Sequence, residues 1–245
     1  MIAFAMWSYK RGSVAISGAF AMVIITSVLA ILNAWLVISA MGTMFLTSSL
    51  LSKWRKDQKQ KTTKHIIMHE PRNATQAFAN LGVAFVLAFL SGVLNCTDML
   101  FYALGAIAAA NADTWASEIG VLSRSKPKYL LSRQVVDAGL SGGVTALGIF
   151  ASIAGSACIA AIYFLFSHNL TLTLIIWMAG FIGSIMDSLL GELIQVKYKT
   201  QSGLVTEIQQ QGATFKGMPY VNNDTVNFIC SLTGALMGFL GHLFF

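Results

Sequence analysis

The sequence predicts an all-α protein, a polytopic bundle of about seven transmembrane helices forming a single integral membrane domain over residues 1–245. Three observations predict it. Of the 245 residues, 56% are hydrophobic and only 11% charged, against the ~25% charged residues typical of a soluble domain, and the mean hydropathy is +0.67. Apolar runs of span length, ~20 residues each, recur along the chain. The basic residues fall only between alternate runs.

The spans follow in order. Lys10 and Arg11 precede the first run, which is too long for the apolar core of a cleavable signal peptide. Residues 13–52 carry no charge and read as two helices turning near Leu32-Asn33-Ala34. A third span is expected from about Ala74 to Val93, ended by Asn95-Cys96-Thr97-Asp98, and a fourth from Met99 to about Leu122. The fifth follows Ser141 and ends near Ser167-His168-Asn169; the sixth runs from Leu170 to about Val196 and the seventh from Thr225 to Phe245.

Charge orients these spans. Lys10 and Arg11 precede the first, and seven basic residues from Lys53 to Arg72 separate the second from the third. Arg124, Lys126, Lys128 and Arg133 lie between the fourth and fifth, and Lys197, Lys199 and Lys216 between the sixth and seventh. Seven alternating spans put all 16 Lys and Arg on one side. Basic loops stay in the cytoplasm, so the amino terminus is expected inside and the carboxyl terminus outside. A plasma-membrane location is expected if the chain is prokaryotic. The net charge of +6 resides in these loops, and no nucleic-acid partner is expected. Cys96, Cys158 and Cys230 are dispersed, without a CxxC spacing, and read as packing residues. Gly234-x-x-x-Gly238 matches the small-residue pattern of close helix contacts and is expected to serve internal packing.

Ionisable groups within spans cost about 2.5–3.5 kcal/mol at the bilayer centre on insertion scales, so each is a functional candidate. The fourth span carries Asn111, Asp113 and Glu118; the sixth, running in the same direction, carries Asp187 and Glu192. Each shows Asp-x4-Glu, and five residues turn ~500° around a helix, so the two acids of a pair do not share a face. The third span opens with Arg72, Asn73, Gln76 and Asn80, in which 72, 76 and 80 form one polar stripe. Ser141-Gly142-Gly143-Val144-Thr145 opens the fifth, where helix-start amides and close-approach glycines could receive a phosphate. Asn222-Asn223-Asp224 and Asn227 open the seventh.

Four spans thus bring carboxylates, amides and a glycine-rich turn to one depth on one side. Such carboxylates can hold Mg²⁺, which takes oxygen ligands and bridges phosphates. Simpler roles compete. Asn80 and Thr145 could only bond across helices, and Glu118 and Glu192 could pair with loop cations as anchors. Asp57 and Glu70 read as solvated loop charges. His65 and His69 are spaced i, i+4 but lack a third ligand, and no metal site is expected there. The 27-residue connection 196–222 is long enough to act as a lid over the cytoplasmic site.

Asn111-Ala-Asp-Thr-Trp-Ala-Ser-Glu-Ile-Gly120, Ser141-Gly-Gly-Val-Thr145, Gly183-Ser-Ile-Met-Asp-Ser-Leu-Leu-Gly191 and Asn223-Asp-Thr-Val-Asn227 resemble the motifs of one family of multi-pass membrane proteins. That family includes plant phytyl-phosphate kinase and animal transmembrane protein 19. The Arg72, Gln76, Asn80 stripe also resembles its pattern, and the likeness extends from about Gly12 onward. Two departures stand out. Only a short apolar stub precedes Tyr9, where family members commonly have a further helix. Val136-Asp137-Ala138-Gly139-Leu140 replaces a segment of proline-glycine-threonine type.

Through its plant member, the resemblance implies phosphoryl transfer from CTP to a prenyl monophosphate, giving the diphosphate. Carried onto this sequence, Asp113 and Asp187 would be catalytic. Asp113, Glu118, Asp187 and Asp224 would hold Mg²⁺. Ser141, Gly142 and Gly143 would form the phosphate cradle, and together with Asn111, Arg72, Gln76 and Asn80 would bind the nucleotide cofactor. The expected partners are the prenyl-phosphate lipid, the nucleotide and membrane lipids. The competing expectation is a secondary transporter coupled through Asp113 and Asp187. Against it, the polar groups lean to one face, and Pro71, Pro127 and Pro219 leave every span unbroken.

Overall fold

A computed structural model of the chain describes residues 2–63, 71–201, 203–209 and 213–244. Lys64, His65, His69, Glu70 and Phe245 lie outside the described residues. The elements are α1 (Ile2–Lys10), α2 (Ile16–Ile31), α3 (Trp35–Lys53), α4 (Lys56–Thr63), α5 (Ala74–Leu94), α6 (Asp98–Gly120), α7 (Ala146–Ser167), α8 (Leu170–Leu193), β1 (Lys197–Lys199), β2 (Val205–Thr206), β3 (Thr214–Lys216) and α9 (Asn223–His242). The seven expected spans correspond to α2, α3, α5, α6, α7, α8 and α9. Five of these, α3, α5, α7, α8 and α9, are long and apolar enough to cross a membrane. Helix α2 is 16 residues long, and α6 carries Asp98, Asp113 and Glu118 along its 23 residues.

Local chemistry sets the helix ends. At the three connections without basic residues, the chain reverses through Asn33, Asn95 and His168, each left-handed with φ between 52° and 56°. Asparagine tolerates that region because its short polar side chain bonds locally. At the opposite end, Asn73 and Gln76 form a capping box on α5. Thr145 caps α7 and Asn222 caps α9, each accepting a first-turn N–H that would otherwise lack a partner.

Helix α6 is the axis of the bundle. Around it pack α5, α9, α8, α7 and α3, with α2 outside against α5 and α3. Its middle, Ala103 to Ala112, is almost wholly buried, and its alanines and Gly105 let neighbours approach closely. A Cβ on Gly105 would strike the carbonyl of Gly234, and one on Gly234 the carbonyl of Gly105. Gly234 of the Gly-x-x-x-Gly pattern therefore serves packing within the chain.

Three segments differ from the sequence reading. The apolar stub before Tyr9 forms the helix α1, the stretch after α3 contains the helix α4, and the connection after α8 contains a three-stranded antiparallel sheet, order β2-β1-β3. Tyr198 pairs with Thr206 on one side and with Phe215 on the other. The strands are two or three residues long, too short for an alternation of apolar and polar residues to declare itself.

Candidate functional site

The expected polar cluster forms one cavity of about 1040 Å³ at the end of the bundle that carries the basic loops. Its wall draws on the ends of α3 and α5 to α9, on α4, and on the connections around Gly12, Ser141 and Glu207. Arg11, Lys53, Lys56, Lys59 and Arg72 supply positive charge, while Asp113, Glu118, Asp187, Glu207 and Asp224 supply negative.

Helices α6 and α8 run in the same direction. Gly183 of α8 lies so close that a Cβ there would strike the Ala109 side chain of α6. Asp113 and Asp187 each stand four residues further on, one turn toward the cavity. That shared register brings their carboxyl groups to hydrogen-bonding range of each other. Oδ2 of Asp187 is buried without a hydrogen-bond partner among the described residues. Another four residues along, Gly191 faces Gly142, whose backbone comes so near α8 that a Cβ would strike the Glu192 amide nitrogen. Gly142 also has φ +84°, so a side chain there would be strained as well as crowded. The spacing Gly183, Asp187, Gly191 is thus one face of α8, with two close approaches flanking one acid.

The remaining expected residues divide. Arg72, Gln76 and Asn80 all line the cavity, as the stripe predicted. Arg72 donates from Nη1 to Ser48 Oγ at 2.9 Å. Burial lowers its pKa from the ordinary value, an effect that the charge of Glu118 opposes. Gln76 is committed to the capping box, and Asn80 Nδ2 donates to the Gln76 carbonyl at 2.9 Å. Asp224 lines the wall in the first turn of α9.

Asn111, expected to touch the ligand, does not reach the cavity. Its Nδ2 donates to the Gly155 carbonyl at 2.7 Å, and its Oδ1 accepts from Thr47 Oγ1 at 3.4 Å. Two residues turn ~200° on a helix, so the face that presents Asp113 turns Asn111 into the packing between α3 and α7.

Ser141, Gly142 and Gly143 lie in a turn ahead of α7, not at its first turn as expected. The helix begins at Ala146, and Gly148 N donates to the Thr145 cap at 3.0 Å. Two of the turn's amides are already bonded. Gly143 N donates to the Leu140 carbonyl at 3.1 Å, and Ser141 N donates to Glu207 Oε1 at 2.7 Å.

Glu118 is held away from the acid pair. Lys59 Nζ donates to its Oε2 at 2.6 Å, and Ser52 Oγ donates to its Oε1. This is the anchoring arrangement, with the cation coming from α4. Glu192 likewise accepts from the amides of Leu131 at 2.9 Å and Ser132 at 2.8 Å.

The residues missed from sequence are Lys59, Gln195, Glu207 and Lys197. Gln195 Nε2 donates to Ser141 Oγ at 2.9 Å and to Glu207 Oε2 at 3.2 Å. Burial raises the pKa of Glu207 above the ordinary carboxylate value, against the bonds from Ser141 and the charge of Lys197. Lys197 Nζ donates to the Gly191 carbonyl and lies 4.9 Å from the Tyr129 ring centroid. Burial brings its pKa down to about 8, while Glu207 opposes the shift.

Chemically, two carboxylates that face each other repel unless a proton or a cation lies between them. Mg²⁺ is held by one or two carboxylates plus substrate phosphates and water, and Asp113 with the unpartnered Oδ2 of Asp187 fits that donor set. Among the described residues no group of three or more His, Cys, Asp or Glu forms a metal-ligand cluster. The four expected ligands therefore reduce to one pair in contact, with Glu118 neutralised by Lys59.

The fold and the site define a class, a helical multi-pass integral membrane protein with a charged cavity at one end of its bundle. The chain belongs to the family described as Integral membrane protein DUF92, whose model matches residues 1–235. It is similar to Protein PGR of Arabidopsis thaliana, with 28% identity over 258 residues, 92% of this chain and 88% of the relative. It is also similar to the membrane protein MJ0933 of Methanocaldococcus jannaschii, with 28% identity over 169 residues, 69% of this chain and 62% of the relative. No solved structure matches the chain.

Proposed function

We propose that the protein is a membrane phosphotransferase that converts a prenyl monophosphate to its diphosphate, with a CTP-like donor and Mg²⁺ at the cytoplasmic face. The topology that goes with it is seven spans with the amino terminus inside. The observation that carries the reading is the contact between the Asp113 and Asp187 carboxyl groups inside a cavity ringed by Arg and Lys. The resemblance of the surrounding motifs to the family that includes plant phytyl-phosphate kinase supports the choice of substrate.

Phosphoryl transfer asks mainly for positioning and charge neutralisation. Asp113 and Asp187 would hold Mg²⁺, which when bound offsets charge on the transferring phosphoryl group. Arg72, anchored on Ser48, and Arg11 and Lys56 at the cavity wall would orient the remaining phosphate oxygens. An isoprenoid tail can stay in lipid while its phosphate meets a water-soluble nucleotide at the cavity mouth.

The same acid pair could instead carry a proton in a coupled transporter. One experiment separates the two. Purified protein in nanodiscs is incubated with CTP, ATP, GTP or UTP, Mg²⁺ and a panel of prenyl monophosphates, and products are read by mass spectrometry. A prenyl diphosphate formed with one preferred nucleotide supports the kinase. No transfer with any pair, together with acid-dependent proton movement in vesicles, rejects it in favour of transport.

A further inference from the structure

The best-built polar cluster outside the acid pair is the one around Glu207. Its carboxylate comes from the connection just after β2, 66 residues along the chain from the Ser141 amide that it meets at 2.7 Å. Gln195 Nε2 is shared between the other Glu207 oxygen at 3.2 Å and Ser141 Oγ at 2.9 Å. One carboxylate thus collects a backbone N–H and a side-chain amide, beside the Ser141 hydroxyl that accepts from the same amide.

None of these donors is charged, and all of them stand at the cavity wall. The set is not an incidental surface contact. Gln195 is only 4% exposed, and delivering its Nε2 leaves Oε1 buried without a partner among the described residues. Leaving a buried acceptor without a partner is costly, and here that cost falls on the residue whose Nε2 serves both Ser141 and Glu207. The turn is fixed by Gly142, which alone fits against α8 with its left-handed φ. Backbone and side-chain donors converging on a concave turn form an anion site, whether the anion is a carboxylate or a phosphate.

We propose that Ser141 and Gln195 form a phosphoryl-binding subsite and that Glu207 is its built-in occupant, which an incoming phosphate must displace. The inference rests on the reading that the cavity takes a phosphorylated ligand, and it adds a resident competitor to that site. Displacing Glu207 would break its bonds with the Ser141 amide and Gln195 Nε2 and leave both donors to the phosphate. The phosphoryl group belongs either to the lipid or to the soluble donor.

The test uses the full chain in nanodiscs and two probes, inorganic pyrophosphate and farnesyl monophosphate, titrated calorimetrically with and without Mg²⁺. If the donors are free in only a tenth of molecules, apparent affinity falls about tenfold. Glu207→Gln keeps the size but removes the competing charge, so it should tighten binding of at least one probe by roughly that factor. Tightening for farnesyl monophosphate alone assigns the subsite to the lipid phosphate; tightening for pyrophosphate assigns it to the soluble donor. Glu207→Asp, one methylene shorter, should act in the same direction and stands in if the first variant does not fold. Unchanged affinity for both probes makes Glu207 a structural latch and overturns the proposal. Weaker binding that appears only with Mg²⁺ makes it a cation ligand and equally overturns it. Prenyl diphosphate formation is scored separately. A wild type that forms no diphosphate while Glu207→Gln tightens binding therefore rejects the kinase reading alone, and an active wild type with unchanged affinity in Glu207→Gln rejects the subsite alone.

Discussion

Asp113 and Asp187 differ from the other described acids because each faces the other across two helices. Glu118 has Lys59 at 2.6 Å, and Glu192 has two loop amides. Glu207 has Ser141 and Gln195. The Lys59–Glu118 pair makes its own prediction. Lys59 is 6% and Glu118 22% exposed at the side chain, so Lys59→Met leaves a carboxylate largely desolvated and should destabilise by about 1–3 kcal/mol. Melting in detergent should show a lower Tm for Lys59→Met and partial recovery in the Lys59→Met, Glu118→Gln double variant. Equal melting of all three proteins would show that the pair does not hold α4 against α6. The role of Lys59 was hidden in the sequence for a plain reason. It lies 59 residues from its partner, among the charges Lys53, Arg55, Lys56, Asp57 and Lys61, all of which are exposed. Asn111 was misread for the opposite reason. A polar residue two positions from a functional acid shares its motif but, at ~100° per residue, not its face.

At the scale of elements, α8 explains itself by its repeat of four. Gly183 sets the approach to α6, Asp187 meets Asp113 one turn on, and Gly191 admits the Gly142 turn after another. Gly183→Val should therefore separate the acids without touching either one. A Cβ at Gly183 would meet the Ala109 methyl and, at 2.9 Å, the Cys230 carbonyl. The expected result is a protein that inserts but loses on the order of 10² in turnover, since misplacement by about 1 Å can cost that much. Wild-type turnover in Gly183→Val would mean that the register of α6 and α8 does not position the site. The long helices were legible because uncharged runs of ~20 residues have few alternatives. Their caps were legible as polar clusters, although Asn73 with Gln76 and Asn222 serve the helix starts themselves. The β1–β3 segment was legible only as a long connection, and so Gln195 and Glu207 could not be foreseen at the cavity.

For the whole molecule, the organising fact is that every polar wall of the cavity sits at the end bearing the basic loops. The three tight turns through Asn33, Asn95 and His168 lie at the other. Placing that charged end in the cytoplasm predicts a topology. A reporter fused behind α9 should be extracytoplasmic, and single cysteines at positions 53–61 should react with impermeant reagents only from the cytoplasmic side. Labelling of 53–61 from outside in intact cells would overturn the seven-span arrangement. The central claim is that the Asp113–Asp187 pair serves Mg²⁺-dependent phosphoryl transfer to a prenyl phosphate. Its most direct test is the initial rate of prenyl diphosphate formation, with Mg²⁺ titrated, for wild type, Asp113→Asn, Asp187→Asn and the exposed control Asp57→Asn. Removing one preorganised electrostatic contact commonly costs on the order of 10²–10³ in turnover. Insertion should survive, because an amide is cheaper to bury than a carboxylate. The account predicts a loss of that size in both cavity variants, a changed Mg²⁺ dependence, and Asp57→Asn close to wild type; wild-type rates and unchanged Mg²⁺ dependence in Asp113→Asn would contradict it.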